Sequence, residues 1–305
     1  MELNRKKFPD ISINNSFNKL KYKGVNLRVT RYIENYGVNS SIFLLIDENN
    51  YYPERIIKIC NFYENKSKIH KRVERFNREI RALEIAKEKK CNHVIEIVED
   101  GIGHLDIEGK KFKYYIMEKG DYTLTQYIEK TPLDISKKIR ICNQILSGVN
   151  ELHKENIYHR DLKPDNILFV LGEWKICDLG LINSAKDDFI FDDMDERGEK
   201  IGPFGWLSPE AMNKFFTEKD SRENLEFNFD CEIDFKSDVF QLGKLFWFIF
   251  QSNIPVGQLD KSDFKPNNDE IFLIIKDMLH YNKLRRPNIN TIESKLTPIK
   301  EKFIA

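Results

Sequence analysis

Three side chains on one eight-residue stretch could move a phosphoryl group. His159-Arg160-Asp161-Leu162-Lys163-Pro164-Asp165-Asn166 carries a carboxylate at Asp161, an ammonium at Lys163 and an amide at Asn166. A carboxylate can accept the proton of an attacking hydroxyl. An ammonium can neutralise charge on a transferring phosphate, and an amide oxygen can hold Mg²⁺. Twelve residues after Asn166, Asp178 opens Asp178-Leu179-Gly180 behind the strand-like run Trp-Lys-Ile-Cys. A carboxylate at a strand end can bind the same cation, and Gly180 lets the chain turn sharply. Alone that triplet reads as a turn; its place after Asn166 favours a metal ligand. Lys58 sits in Arg55-Ile56-Ile57-Lys58-Ile59-Cys60. The isoleucines predict a buried strand, where an unpaired ammonium is costly.

The elements that must position these groups fall into two parts. Residues 1–24 are polar and irregular and read as a leader. From 25 to 62 the pattern is β: residues 25–33, then 41–47, a turn at 48–50, then 55–62. Residues 67–90 are helical, with Val73, Phe76, Ile80 and Leu83 at helical spacing. Two strand-like runs follow near 94–99 and 112–118. From about 121 onward the chain reads mainly as helices, including 134–153, 238–251 and 269–281. The boundary falls near 118–121, and no internal repeat is visible.

At 305 residues the chain can bury a large core in two unequal lobes. Forty-nine basic residues balance forty-nine acidic ones, so no global field attracts nucleic acid or an anionic membrane. The five cysteines are scattered without a C-x-x-C pair, which suits reduced thiols in the cytoplasm. No apolar region follows the basic N-terminus, so no secretory signal is expected. The most apolar stretch, 242–250, is interrupted by Lys244 and is too short to span a bilayer. These features predict a soluble, cytoplasmic protein.

The string at 159–166 resembles the catalytic loop of eukaryotic-type Ser/Thr protein kinases, and further motifs extend the resemblance over about residues 28–296. Asp178-Leu179-Gly180 is similar to the family's DFG, with leucine keeping an apolar plug. Lys58 matches the lysine of V-A-I-K, and Glu79 in Arg78-Glu79-Ile80-Arg81-Ala82-Leu83 matches E-I-x-x-L, ahead of the competing Glu84. The glycine-rich loop aligns with Asn35-Tyr36-Gly37-Val38-Asn39-Ser40-Ser41-Ile42, where only the central glycine survives. The resemblance implies an α+β, bilobal fold: a five-stranded antiparallel N-lobe with one main helix (25–118), then a larger, mainly helical C-lobe (119–305).

It also implies roles. Asp161 would accept the hydroxyl proton, Lys163 would neutralise charge on the γ-phosphoryl group, and Asn166 with Asp178 would hold Mg²⁺, or Mn²⁺ in its place. Lys58, fixed by Glu79, would align the ATP phosphates beneath Gly37, Ser40 and Ile42. Met117 would back the adenine pocket, and the backbone of Glu118 and Lys119 would bond the adenine edge. His159 would pack inside the lobe, while Cys177 would border the nucleotide pocket.

Arg160 in such kinases often meets a phosphate on the activation segment, here 178–210. Between Ala185 and Leu207 this segment has no Ser, Thr or Tyr, and it is acidic. Glu199, or a nearby carboxylate, is the candidate built-in anion for Arg160, the other reading being a solvated acidic loop. The segment ends in Gly202-Pro203-Phe204-Gly205-Trp206-Leu207-Ser208-Pro209-Glu210, similar to GTPxYxAPE, with Pro203 replacing a threonine that helps tie the catalytic Asp and Lys together. Glu210 should pair with Arg286, and Asp238 should brace the catalytic loop backbone. Residues 217–235 form an acidic insertion with interleaved Phe and Leu, read either as a docking surface for a basic partner or as a surface loop. The expected activity is ATP- and Mg-dependent transfer to Ser/Thr hydroxyls of protein substrates, with oligomeric state left open. A pseudokinase scaffold and a small-molecule kinase remain as alternatives.

Overall fold

The computed structural model describes residues 2–4, 10–12, 19–32, 39–64, 70–107, 109–184, 202–219 and 229–304. The chain divides into two compact units. One comprises Met1–Lys89 with Ile95–Lys119, the other Lys90–Val94 with Gly120–Ala305.

The first unit holds a short ribbon of β1 (Glu2–Asn4) and β2 (Asp10–Ser12), and one larger sheet. That sheet contains β3 (Lys19–Tyr22), β4 (Val25–Arg31), β5 (Ser40–Ile46), β6 (Arg55–Tyr63), β7 (Ile97–Ile107) and β8 (Lys110–Glu118). All pairings are antiparallel, in the order β3-β4-β5-β6-β8-β7. Six strands therefore stand where five were expected. The extra one is β3, inside the stretch read as a leader: Leu20 and Tyr22 alternate inward with the exposed Lys19 and Lys21. That is the period-2 signature of a half-buried strand.

One face of this sheet is a core built on Leu27, Val29, Phe43, Leu45, Ile57, Ile59, Phe112 and Ile116. β6 is buried over six consecutive positions, from Ile56 to Asn61, so both of its faces are covered and its sequence is apolar at most of them. Its opposite face carries Lys58. α1 (Lys71–Glu88) lies between β6 and β7 in the chain and buries Val73, Phe76, Glu79, Ile80 and Leu83. Its first turn is capped by the His70 ring, which accepts from the Arg72 N–H at 3.2 Å.

The second unit begins with β9 (Tyr122–Thr123), α2 (Leu124–Lys130) and α3 (Ile135–Lys154). Next come β10 (Ile157–Tyr158), β11 (Ile167–Val170), β12 (Glu173–Ile176) and β13 (Asn183–Ser184), followed by α4 (Pro209–Lys219), α5 (Phe235–Gln251), α6 (Asp269–Met278) and α7 (Ile289–Ile304). α3 starts at an Asp134 cap, whose carboxylate accepts from the Lys137 N–H at 2.8 Å, and it buries a stripe from Ile139 to Leu152. Gly148 in that stripe is a packing requirement: a Cβ there would lie 2.6 Å from the His93 carbonyl oxygen. α5 starts three residues earlier than its hydrophobic pattern implies, because Asp234 caps it through the Lys236 N–H at 2.7 Å.

The insertion at 217–235 is partly absorbed by its surroundings. Residues 217–219 extend α4. Lys283, 8% exposed, meets Asp230 at 3.1 Å, Glu232 at 3.2 Å and Asp234 at 3.6 Å. Three of the carboxylates that suggested a docking surface are thus engaged within the chain. Residues 220–228 lie outside the described residues.

Candidate active site

The loop at 159–166 is short, irregular and buried, so its backbone groups need partners. It is flanked by β10 and β11, and α5 supplies the partners from two side chains one turn apart. Asp238, fully buried, accepts from the His159 N–H at 2.8 Å and the Arg160 N–H at 2.7 Å, and from the His153 ring at 2.8 Å. Gln241 accepts from the Leu162 N–H and donates to the Arg160 carbonyl, both at 2.9 Å. Burial alone would raise the Asp238 carboxyl, but the His153 hydrogen bond and the neighbouring donors outweigh it and hold it below the usual range. Asp238 was expected here; Gln241 and His153 were not. His159 is buried as expected: its Nδ1 accepts from the Asp161 N–H at 3.2 Å, so Nε2 carries the proton and donates to the Cys177 carbonyl at 3.0 Å.

This scaffold brings Asp161, Lys163 and Asn166 together. Lys163 Nζ lies 2.5 Å from Asp161 Oδ2. Asn166 Nδ2 donates to the same oxygen at 3.0 Å and to the Asp161 carbonyl at 2.8 Å. With its amide protons turned to Asp161, Asn166 has its carbonyl oxygen left as an acceptor for a cation. Asp161 Oδ1 is buried and has no hydrogen-bond partner among the described residues. Burial pushes the Asp161 carboxyl above its ordinary value, against the opposing pull of Lys163.

Asp178 is exposed and takes a left-handed backbone, φ 62°, while Leu179 behind it is fully buried. Such a conformation in a non-glycine residue is costly and marks a constrained position. The Asp178 charge acts on Asp161, raising its pKa further. Gly202, at φ +89°, also closes on the base: a Cβ there would lie 2.8 Å from Asp161 Oδ1. Pro203, with no hydroxyl, follows it. Glu199 and residues 185–201 lie outside the described residues, as do Gly37 and residues 33–38.

Glu210 and Arg286 form a buried two-pronged pair at 2.8 and 2.9 Å. Arg286 also donates to the carbonyls of His280, Lys236 and Tyr281, and the Ser237 hydroxyl donates to Glu210. Burial would raise the Glu210 carboxyl, yet the Arg286 guanidinium holds it below the usual range.

In the first unit Lys58 and Glu79 meet at 2.7 Å with side chains 8% and 3% exposed. Glu84, the competing carboxylate, lies instead beside Arg81 on the outer side of α1. Ile42 of β5 is the register partner of Lys58 and shares its face of the sheet. Ser40 is buried, pairing in register with Cys60. Met117 is buried. The Glu118 N–H is taken by the Glu96 carbonyl at 3.1 Å, and Lys119 Nζ lies 3.4 Å from Glu54. Cys177 is buried, and burial pushes the Cys60 thiol up to about 11.

The family model of the protein kinase domain matches residues 37–304. The chain is 26% identical over 219 residues to serine/threonine-protein kinase MPS1 of Encephalitozoon cuniculi, covering 68% of this chain and 33% of that protein. It is 29% identical over 189 residues to serine/threonine-protein kinase MPS1 of Saccharomyces cerevisiae, covering 61% and 23%. With dual specificity protein kinase TTK of Mus musculus the identity is 26% over 147 residues, covering 48% and 16%. The chain thus spans a third or less of the length of these relatives.

Proposed function

This chain belongs to the protein kinase family, and we propose that it transfers the γ-phosphoryl group of ATP to serine or threonine hydroxyls of protein substrates. The observation that carries the reading is the buried Asp161 Oδ1, which has no hydrogen-bond partner among the described residues while its sister oxygen is held by Lys163 and Asn166. A hydroxyl donor suits that unsatisfied acceptor, and the displaced carboxyl pKa suits a group that must accept a proton.

The residues also fit a Mg²⁺-bound nucleotide. Asn166 has a carbonyl oxygen to offer and Asp178 an exposed carboxylate. Among the described residues no group of three or more His, Cys, Asp or Glu could hold a metal alone, so phosphate oxygens and water would complete the shell. When bound, Mg²⁺ supplies charge neutralisation on the phosphate oxygens. Asp161 orients the acceptor hydroxyl and takes its proton. Lys163, beside Asp161, neutralises charge on the transferring group. Lys58, fixed by Glu79, holds the phosphates, with Gly37, Ser40 and Ile42 covering them. Met117 backs the adenine. Because the Glu118 N–H is already bonded to Glu96, the adenine edge falls to the Glu118 carbonyl and the backbone after it.

Activity without activation-segment phosphorylation is part of the proposal, supported by the absence of Ser, Thr and Tyr from residues 185–207. Glu199 would serve Arg160. Five scattered cysteines without a C-x-x-C pair and balanced charge support a cytoplasmic location, and no helix among the described residues is long and apolar enough to cross a membrane. The acidic insertion 217–235 is proposed as the place where a basic partner would dock.

The test is radiolabelled transfer from ATP to generic protein substrates with Mg²⁺ or Mn²⁺, comparing wild type with Asp161→Asn and Lys58→Met. Wild type should label Ser or Thr and both variants should lose most of it; labelling that neither variant reduces sinks the assignment. Phosphatase treatment should leave the wild-type rate unchanged.

A further inference from the structure

We propose that the Tyr115 hydroxyl is a positioning group for nucleotide binding, holding Glu79 so that Lys58 stays aimed at the phosphates. The inference rests on the kinase reading above, and it adds a residue outside the motifs that suggested that reading.

Tyr115 on β8 is the direct antiparallel partner of Lys58 on β6. Residues directly opposite each other project to the same face of a sheet, so both side chains point to the side where α1 lies. The contacts bear this out. Tyr115 Oη donates to Glu79 Oε1 at 2.9 Å, and Lys58 Nζ donates to that same oxygen at 2.7 Å. Lys58 Nζ is 6.0 Å from the Tyr115 ring centroid. The ring also packs on Phe76, centroids 5.4 Å apart. Phe76 is three residues before Glu79 on α1 and therefore shares its face. Tyr115, only 1% exposed, touches the helix twice: through its ring and through its hydroxyl.

The two contacts have different consequences. A phenylalanine at 115 would keep the ring contact with Phe76 and the packing of β8. It would lose the donor that, with Lys58, fixes one carboxylate oxygen from two directions. Hydrogen bonds to ionised acceptors are among the stronger ones in a protein interior. Without it, that carboxylate oxygen keeps Lys58 but loses its second donor, and Glu79 holds Lys58 less firmly.

The experiment compares wild type, Tyr115→Phe, Glu79→Gln and the double variant, measuring the Kd of Mg-ATP by calorimetry and kcat and KM for ATP. Tyr115→Phe should weaken ATP binding and lower kcat/KM by about tenfold, or about 1.4 kcal/mol. In the Glu79→Gln background the same change should add less than about twofold, because its route to the nucleotide runs through Glu79. Unchanged affinity and rate in Tyr115→Phe overturn the proposal. So does an undiminished loss in the Glu79→Gln background, which is what a packing role would give. If wild type binds ATP but transfers nothing, the Kd comparison still decides: weaker binding by Tyr115→Phe upholds the positioning role while the kinase activity falls. If wild type binds no ATP, both fall.

Discussion

Replacing Gln241 with alanine should damage both the stability of the second unit and its catalytic rate. Gln241 is 2% exposed and makes two hydrogen bonds of 2.9 Å to the backbone at Leu162 and Arg160. Truncation strands one buried N–H and one buried carbonyl. Each such group costs about 1–3 kcal/mol, and water entering the vacated space recovers part of that. A net loss of about 2–4 kcal/mol follows. Asp238 keeps its own bonds to His159 and Arg160, so the loop stays anchored at its start and loosens around Leu162, next to Asp161. A misplacement of about 1 Å at a reacting group can cost about a hundredfold in rate. We therefore expect kcat to fall by about ten- to a hundredfold while the Kd for ATP, proposed to depend on Lys58, moves less than about twofold. Urea unfolding followed by circular dichroism gives the stability, and initial rates at saturating ATP give kcat. A stability loss under about 0.5 kcal/mol, or a kcat within about twofold of wild type, refutes the bracing role.

Breaking the Glu210–Arg286 pair should cost about 3–5 kcal/mol in urea unfolding, with Arg286→Met worse than Glu210→Ala because it also strands the carbonyls of His280, Lys236 and Tyr281. Glu210's carboxyl is held below its ordinary value, so its contribution is complete above the unfolded carboxyl pKa and is lost as pH falls through the folded one. The stability gap between wild type and Glu210→Gln should accordingly close on acidification. Gly202→Ala combines a strained φ of +89° with a Cβ 2.8 Å from Asp161 Oδ1. It should lose about tenfold or more in kcat and about 1–2 kcal/mol of stability; wild-type kcat would show that the segment yields freely. In the proposed mechanism Asp161 must be ionised to act, and its pKa is raised, so the acid limb of kcat against pH should lie above the ordinary carboxylate range. Lys163→Ala should move that limb to higher pH, since Lys163 opposes the effect of burial; a shift the other way contradicts the assignment.

What could be read from the residues was whatever depends on local spacing. Asp161, Lys163 and Asn166 lie within six positions, and α1 and α3 carry strong helical stripes, so each was legible directly. Lys58 and Glu79 are 21 positions apart, yet the burial implied by Ile56, Ile57 and Ile59 demanded a partner, and the match of Glu79 to the family motif chose it over Glu84. β3 was missed because Lys19 and Lys21 make a four-residue strand look polar; only Leu20 and Tyr22 report its inner face. Gln241 was missed for a different reason. A glutamine has no charge to balance, so nothing in its neighbourhood signals that two backbone groups of a loop 79 and 81 positions away require it. Tyr115 did carry a signal. The alternation that puts Met117 on one face of β8 puts Tyr115 on the same face, opposite Lys58 once the register is known. A hydroxyl on a buried strand beside a paired lysine needs an acceptor, and the carboxylate already assigned to that lysine is within reach. Pairing register, which composition and periodicity leave open, is what turns that tyrosine from a core residue into a partner of the Lys58–Glu79 pair.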